Sequence, residues 1–451
     1  MTRFWCELAW LGGPLATAGV TLTTSNDRII NVERDVSAPA PGDTRLDGLT
    51  VPGFANVHSH AFQRALRGRT HGGQGDFWAW REVMYEAAAR LDPDNYYELA
   101  RATYGEMAEA GICSVGEFHY LHHQADGTPY DDENTMGKAL LAAAADVGIR
   151  ITLLDTAYLC GGVGDGGARV PLTGAQLRFG DRDIHRWIER VDELLGSSSS
   201  PTSKVGAAIH SVRAVDPESI QLLSEWTQLH DMAVHVHVSE QPKENEACLS
   251  SHGLTPIGLL NSLGAVTQNT TLIHATHVTE ADVALVAEAG AGCCLCPTTE
   301  RDLADGIGPS RRISEAGIPI SLGSDSHTVI DLLEEARAVE MNQRVVTLER
   351  GVHPPECLLT MAATNGNRAL HWEGGMLESG ASADFTTISL DSARLAGTDP
   401  ANALASVLLG ANADDIDHVV IAGRTVVAGG AHNSIDVPAA LDKAVRTLMA
   451  T

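Results

Sequence analysis

Two histidines one residue apart, His58 and His60, close the stretch Pro52-Gly53-Phe54-Ala55-Asn56-Val57-His58-Ser59-His60. In a strand, alternate side chains share a face. The two imidazoles therefore point the same way, with their Cα atoms roughly 6.5–7 Å apart, and one metal ion can take a nitrogen from each. Such a pair occurs often by chance, so its weight depends on what else the chain supplies. Val234-His235-Val236-His237-Val238-Ser239-Glu240 supplies His237 as a third ligand, and His235, one step deeper, reads as a structural histidine. Glu240 falls just past the strand end, where a carboxylate can act as general base and then general acid beside a metal-activated water. Asp325, in Gly323-Ser324-Asp325-Ser326-His327, is the natural fourth ligand and can also accept a proton. Alone it would read as an Asx turn or a helix cap; the company of the other groups favours the ligand. His274 either binds metal or hydrogen-bonds the reacting centre, while His119, His122, His123, His277 and His327 read as loop or outer histidines.

Three imidazoles and a carboxylate suit one Zn2+, although Fe2+ and other divalent ions share these ligands. A two-metal site would want a bridging lysine after the fourth strand; Lys204 stands at that strand's start, and its end carries His210-Ser211-Val212-Arg213. Cys293, Cys294 and Cys296 read as small core residues, since adjacent strand positions face opposite ways.

The elements that must hold these groups are short apolar strands alternating with helices. Strands are expected at 55–60, 113–118, 150–158, 205–211, 233–239, 271–277, 292–296 and 319–324. Asp92-Pro93 and Asp216-Pro217 open helices, Thr279 to Asp282 resembles a capping box, and Gly111 and Gly290 mark helix ends. The alternation predicts a (β/α)8 TIM-like barrel over 51–375, with reactive groups at the C-terminal strand ends. Strand-like runs at 21–24, 28–32, 383–388 and 419–427 predict a small β-sandwich domain built from both chain ends, 1–50 plus 376–451.

Composition bounds the partners. A net charge of −27 argues against nucleic acid. No apolar run is long enough for a membrane span, and the N-terminus lacks a signal-peptide layout, so a soluble cytoplasmic protein with free thiols is expected from the eight cysteines.

The arrangement of H-x-H after strand one, H-x-x-E at strand five, His at strand six and Asp at strand eight resembles the amidohydrolase superfamily. Within it, Ala55 through Ala65, Phe77 through Tyr85, Glu117 through His123, His210 through Arg213, His237 through Gln241 and Ser324 through Thr328 are similar to the formimidoylglutamate deiminase family. The resemblance implies hydrolysis of N-formimino-L-glutamate to N-formyl-L-glutamate and ammonia in histidine degradation. It implies one zinc on His58, His60, His237 and Asp325, chemistry assisted by Glu240, His274 and Asp325, and a homodimer. Gln63, Arg81, Tyr120, His210 and Arg213 are then the contacts to a small dicarboxylate substrate. On the residues alone, Arg81 reads as a surface helix arginine and Arg213 as a loop salt bridge. The rival readings are a purine- or pyrimidine-type deaminase and a non-catalytic metal-binding scaffold. The glycine-rich 161–167 and the serine-rich 196–203 look particular to this chain.

Overall fold

The computed structural model describes residues 1–70, 77–164, 168–198 and 200–450. The glycine-rich and serine-rich segments thus fall partly outside the described residues, at 165–167 and 199, as do the side chains of Phe77, Trp78 and Ala79. Eight strands, Phe54–Ser59, Ile112–His119, Arg150–Ala157, Ser203–Ile209, Val234–Val238, Thr270–His274, Gly292–Leu295 and Ile320–Leu322, pair in sequence order as a parallel sheet. Ser59 bridges Asp325 in parallel register, which brings the first strand to the eighth and closes the ring. This is the (β/α)8 barrel that the alternation predicts. Most strands are buried along their length, as parallel sheets covered by helices require.

Several strands end short of their expected limits, and the cause is local. Ser239, Ala275 and Asp325 have φ of 51°, 48° and 45°, so the chain leaves the ladder where its polar groups begin. The helices start where the sequence says: Asp92 accepts from Asn95 N, Asp216 from Ser219 N, and Thr279 and Asp282 cap each other reciprocally.

Strands from both chain ends form one continuous eight-stranded sheet beside the barrel. Its neighbours are antiparallel except where Thr2–Ala9 runs parallel to Thr44–Pro52. The sheet folds back on itself, since Arg28 bridges Ser382, and encloses Phe4, Cys6, Leu22, Leu46, Phe385 and Val420. That gives the expected sandwich-like core from a single sheet. After the sheet, the helix Val437–Met449 lies against the barrel helix Pro93–Glu109.

Sheet and barrel meet at Gly53, between Thr44–Pro52 and the first barrel strand. Its N–H donates to Asp384 O (3.0 Å), and a Cβ there would sit 2.2 Å from Cys113 Sγ, so only glycine fits. Beside it, Arg150 Nε donates to Asp384 Oδ2 at 2.7 Å, with the two side chains 1% and 3% exposed. Asp384 Oδ1 also accepts from Ala422 N (2.7 Å), and Arg150 Nη1 donates to Pro201 O (3.0 Å). Removing one partner of such a pair strands the other charge in the interior. Arg150→Ala is therefore expected to cost on the order of 3–5 kcal/mol in denaturant unfolding; a loss below about 1 kcal/mol would mean that water reaches Asp384.

Candidate active site

At the C-terminal end of the barrel, Nε2 of His58 lies 3.0 Å from Nε2 of His237 and 3.3 Å from Asp325 Oδ1. His60 Nε2 lies 3.5 Å from the same oxygen. Backbone carbonyls fix two of these rings: His60 Nδ1–H donates to Phe118 O and His237 Nδ1–H to His210 O, each at 3.0 Å. A carbonyl only accepts, so the proton sits on Nδ1 and the Nε2 lone pairs turn toward the common space. Burial keeps the rings neutral. It pushes His60 down to about 3, with help from the neighbouring His58, and holds His237 well below and His58 below the ordinary histidine value. The Asp325 carboxylate remains ionised despite burial because His58, His274 and His60 surround it. The Nε2 lone pairs of His60 and His237 and the Asp325 carboxylate thus converge beside His58, whose Nδ1 has no partner among the described residues. A divalent cation answers that arrangement, and nitrogen–oxygen ligation of this composition fits zinc or a neighbouring first-row ion.

His274 approaches from the sixth strand on left-handed backbone (φ 69°). Its Nε2 is 3.9 Å from both Glu240 Oε1 and Asp325 Oδ2, and its Nδ1 is 3.6 Å from Glu300 Oε1. Burial alone would strip its proton, but Glu240, Glu300 and Asp325 hold it well above the usual value. Left-handed residues cluster here, at Ser239, His274, Ala275, Asp325 and His327, and each costs backbone strain that the surrounding packing must sustain.

A small chamber of about 70 Å3 opens from this cluster, and every expected site residue except His58 lines it. Gln63 Nε2 donates to the Tyr120 hydroxyl (3.2 Å), and Arg81 Nε donates to the Tyr85 hydroxyl. His210 is driven well below its ordinary pKa by burial and then by Arg213. The sequence reading did not foresee Tyr85, Tyr158 and Phe179 as aromatic walls, or Leu303. Tyr158 closes the third strand's expected run and could have been read as a mouth residue. Phe179 caps the short 3-10 turn Gly174–Arg178, which carries no catalytic motif. Beyond the chamber lies a vestibule of about 870 Å3, which shares Trp80, Arg81, Tyr158, His210, Arg213 and Leu303 with it.

Behind the ligands runs a buried polar chain. Ser59 Oγ donates to Glu117 Oε2 (2.6 Å), Ala61 N donates to Glu117 Oε1 (2.8 Å), and His327 bridges Ser59 Oγ and Ser324 Oγ at 3.1 and 3.0 Å. Asn56 Nδ2 donates to Ser324 Oγ (2.7 Å) and its Oδ1 accepts from Ser324 N (2.9 Å). Burial pushes the Glu117 carboxyl up to about 7. The chain ties together the strands that carry His58, His60 and Asp325, so His327 supports the ligands without joining them. His235 turns away, its Nε2 donating to Ala369 O (3.1 Å), and Lys204 binds the His371 carbonyl over the Trp372 ring. His119, His122 and Asp155 also lie close enough to share an ion. Asp155, however, is spent on Arg190, with both oxygens at 2.8 Å, and on Trp187 Nε1 (3.0 Å). That cluster reads as structural.

Residues 49–426 match the amidohydrolase family. Among curated proteins, formimidoylglutamate deiminase of Pseudomonas aeruginosa is 36% identical over 406 residues, 88% of each chain. An 8-oxoguanine deaminase of the same species is 28% identical over 448 residues, 95% of this chain and 96% of that one. Among solved structures, an amidohydrolase from Brucella melitensis superposes with a TM-score of 0.88 at 34% identity, covering 100% of both chains.

The ligand cage depends on one glycine. A Cβ at Gly323 would stand 2.7 Å from His58 Cβ and 3.0 Å from Cys296 Sγ. Gly323→Ala is expected to shift the His58 ring and weaken divalent-ion binding about 10–100-fold in chelator competition; unchanged affinity would show that the cage tolerates the shift.

Proposed function

The chain belongs to the amidohydrolase family, and from that premise we propose that it hydrolyses the formimino group of N-formimino-L-glutamate, giving N-formyl-L-glutamate and ammonia in histidine degradation. The observation that carries the reading is the pair of arginines, Arg81 and Arg213, on the wall of a chamber that ends at the histidine–aspartate cage. A linear amidine with two carboxylates needs cationic, fork-shaped partners at one end and a water-activating centre at the other. A planar nucleobase, the substrate class named for the 28% relative, has no carboxylates for these guanidiniums.

His58, His60, His237 and Asp325 would hold one Zn2+ or a similar ion. When bound, such an ion acidifies water and offsets charge that develops at the attacked carbon. The remaining work falls to the protein's own groups. Asp325 takes the proton of the attacking water. His274, beside both carboxylates, orients the tetrahedral centre by hydrogen bonding to the heteroatoms it bears. Glu240 carries a proton to the departing nitrogen, so the carbon–nitrogen bond breaks as ammonia leaves and the carbonyl forms. Water supplies the oxygen of the formyl group. Gln63 and Tyr120, already bonded to each other, and His210 complete the wall against the substrate. Arg213 and Arg81 hold the carboxylates and orient the chain, an arrangement that converts binding into a fixed angle of attack.

Ammonia release from formiminoglutamate, 8-oxoguanine and adenosine, together with metal analysis, tests the reading; turnover of a nucleobase or nucleoside in preference to formiminoglutamate would falsify it. Glu240→Gln should keep its metal and lose at least about 10²–10⁴-fold in kcat; near-native turnover would remove Glu240 from proton transfer. Arg213→Ala should raise KM for the dicarboxylate by roughly 10–100-fold with a smaller change in kcat, and an unchanged KM would exclude it as a clamp.

A further inference from the structure

Arg213 stands at the junction of chamber and vestibule, with a quarter of its side chain exposed. It already has a carboxylate neighbour, Glu244, whose Oε2 lies 4.0 Å from Arg213 Nε. Arg213 Nε has no hydrogen-bond partner among the described residues. Glu244 is 2% exposed and lines the vestibule, and besides Arg213 only the backbone amides of Ser239 and Glu240 favour its charged form. Glu244 is placed by the helix Pro242–His252, where its own N–H bonds the carbonyl of the cap residue Gln241 (3.0 Å). Burial raises the Glu244 carboxyl while Arg213 opposes the rise; Arg213 in turn keeps its charge against burial because Glu244 and Glu240 face it.

A buried carboxylate is costly even where backbone amides face it, and an apolar residue could have stood here instead. Its position facing a guanidinium at a cavity wall gives it a use. We propose that Glu244 is the resident counter-ion of Arg213, and that its charge weakens the grip of the cavity on carboxylates so that product can leave. The inference rests on the reading that this cavity takes a dicarboxylate. Substrate and product carry the same two carboxylates. A clamp of full strength would therefore hold both equally, which lowers KM without speeding chemistry and slows release. Glu244 sets the clamp below that strength: an arriving carboxylate must share Arg213 with it and is repelled by it.

Titration calorimetry with glutarate, a dicarboxylate that cannot react, measures this without turnover. Two carboxylates some 6 Å apart, at an effective dielectric constant of roughly 40, repel by about tenfold in affinity. Glu244→Gln is expected to bind glutarate about tenfold more tightly than the native chain. Inhibition by N-formylglutamate should strengthen by the same factor, and KM should fall. Adding Arg213→Ala to Glu244→Gln should erase the gain. Glu244→Met removes the same charge without asking for a hydrogen bond and should behave as Glu244→Gln does, which covers a glutamine variant that fails to fold. A merely structural role cannot yield tighter binding. Equal or weaker glutarate binding in the folded variants overturns the proposal, as does an absence of glutarate binding in all forms. Tightened glutarate binding without formiminoglutamate turnover would sink the proposed reaction and leave the counter-ion standing. Turnover without tightening would do the reverse.

Discussion

The site depends on the burial of three neutral imidazoles and an ionised carboxylate around one point. That is an unfavourable assembly unless each ring is fixed and the carboxylate is countered. The barrel fixes two of the rings with backbone and counters the carboxylate with side chains. Carbonyls of Phe118 and His210 take the Nδ1 protons of His60 and His237, so the rings cannot flip their lone pairs away. His58, His60 and His274 surround the Asp325 charge. The left-handed residues at the strand ends aim these groups into the mouth. The strain sits at the site, and the cost is borne by the packed barrel below it.

Much of this was legible in the sequence. H-x-H, H-x-x-E and the isolated Asp325 stand at ends of apolar strands, and period and punctuation are local properties of the chain. Lys204 and His235 were also readable, since their position along a strand already places them away from the mouth. What was not legible came from contacts between segments far apart in sequence. Glu117 gains its role only when Ser59 and Ala61 converge on it, and Phe179 only when its segment folds over the chamber. Glu244 looks like an ordinary first-turn helix acid, and nothing local says that it faces Arg213. The strands Thr2–Ala9 and Thr44–Pro52 went unforeseen because each is stabilised by the other in parallel register, across some forty residues of chain.

Charge shows the same division between local and global. A net −27 spread over the molecule repels anions in general. Two arginines on the chamber wall set positive charge against that background, and the carboxylates around them limit its reach. If the cavity takes a dicarboxylate, its recognition would rest on a few ångströms of wall.

The seam between the first and eighth strands carries a further consequence. Outside that seam the barrel strands pair through extended ladders, but the ring closes through a single bridge, Ser59 to Asp325, whose backbone bonds run from His60 N to Asp325 O and from Asp325 N to His58 O. The residues that close the barrel are therefore those whose side chains form the cage. An ion held there would act as a clasp on the least-paired joint of the ring. Were it to bind the closed form and not the open one, each tenfold rise in free ion above its dissociation constant would add about 1.4 kcal/mol to the stability of the closed barrel. Metal supply and mechanical integrity would then become one variable.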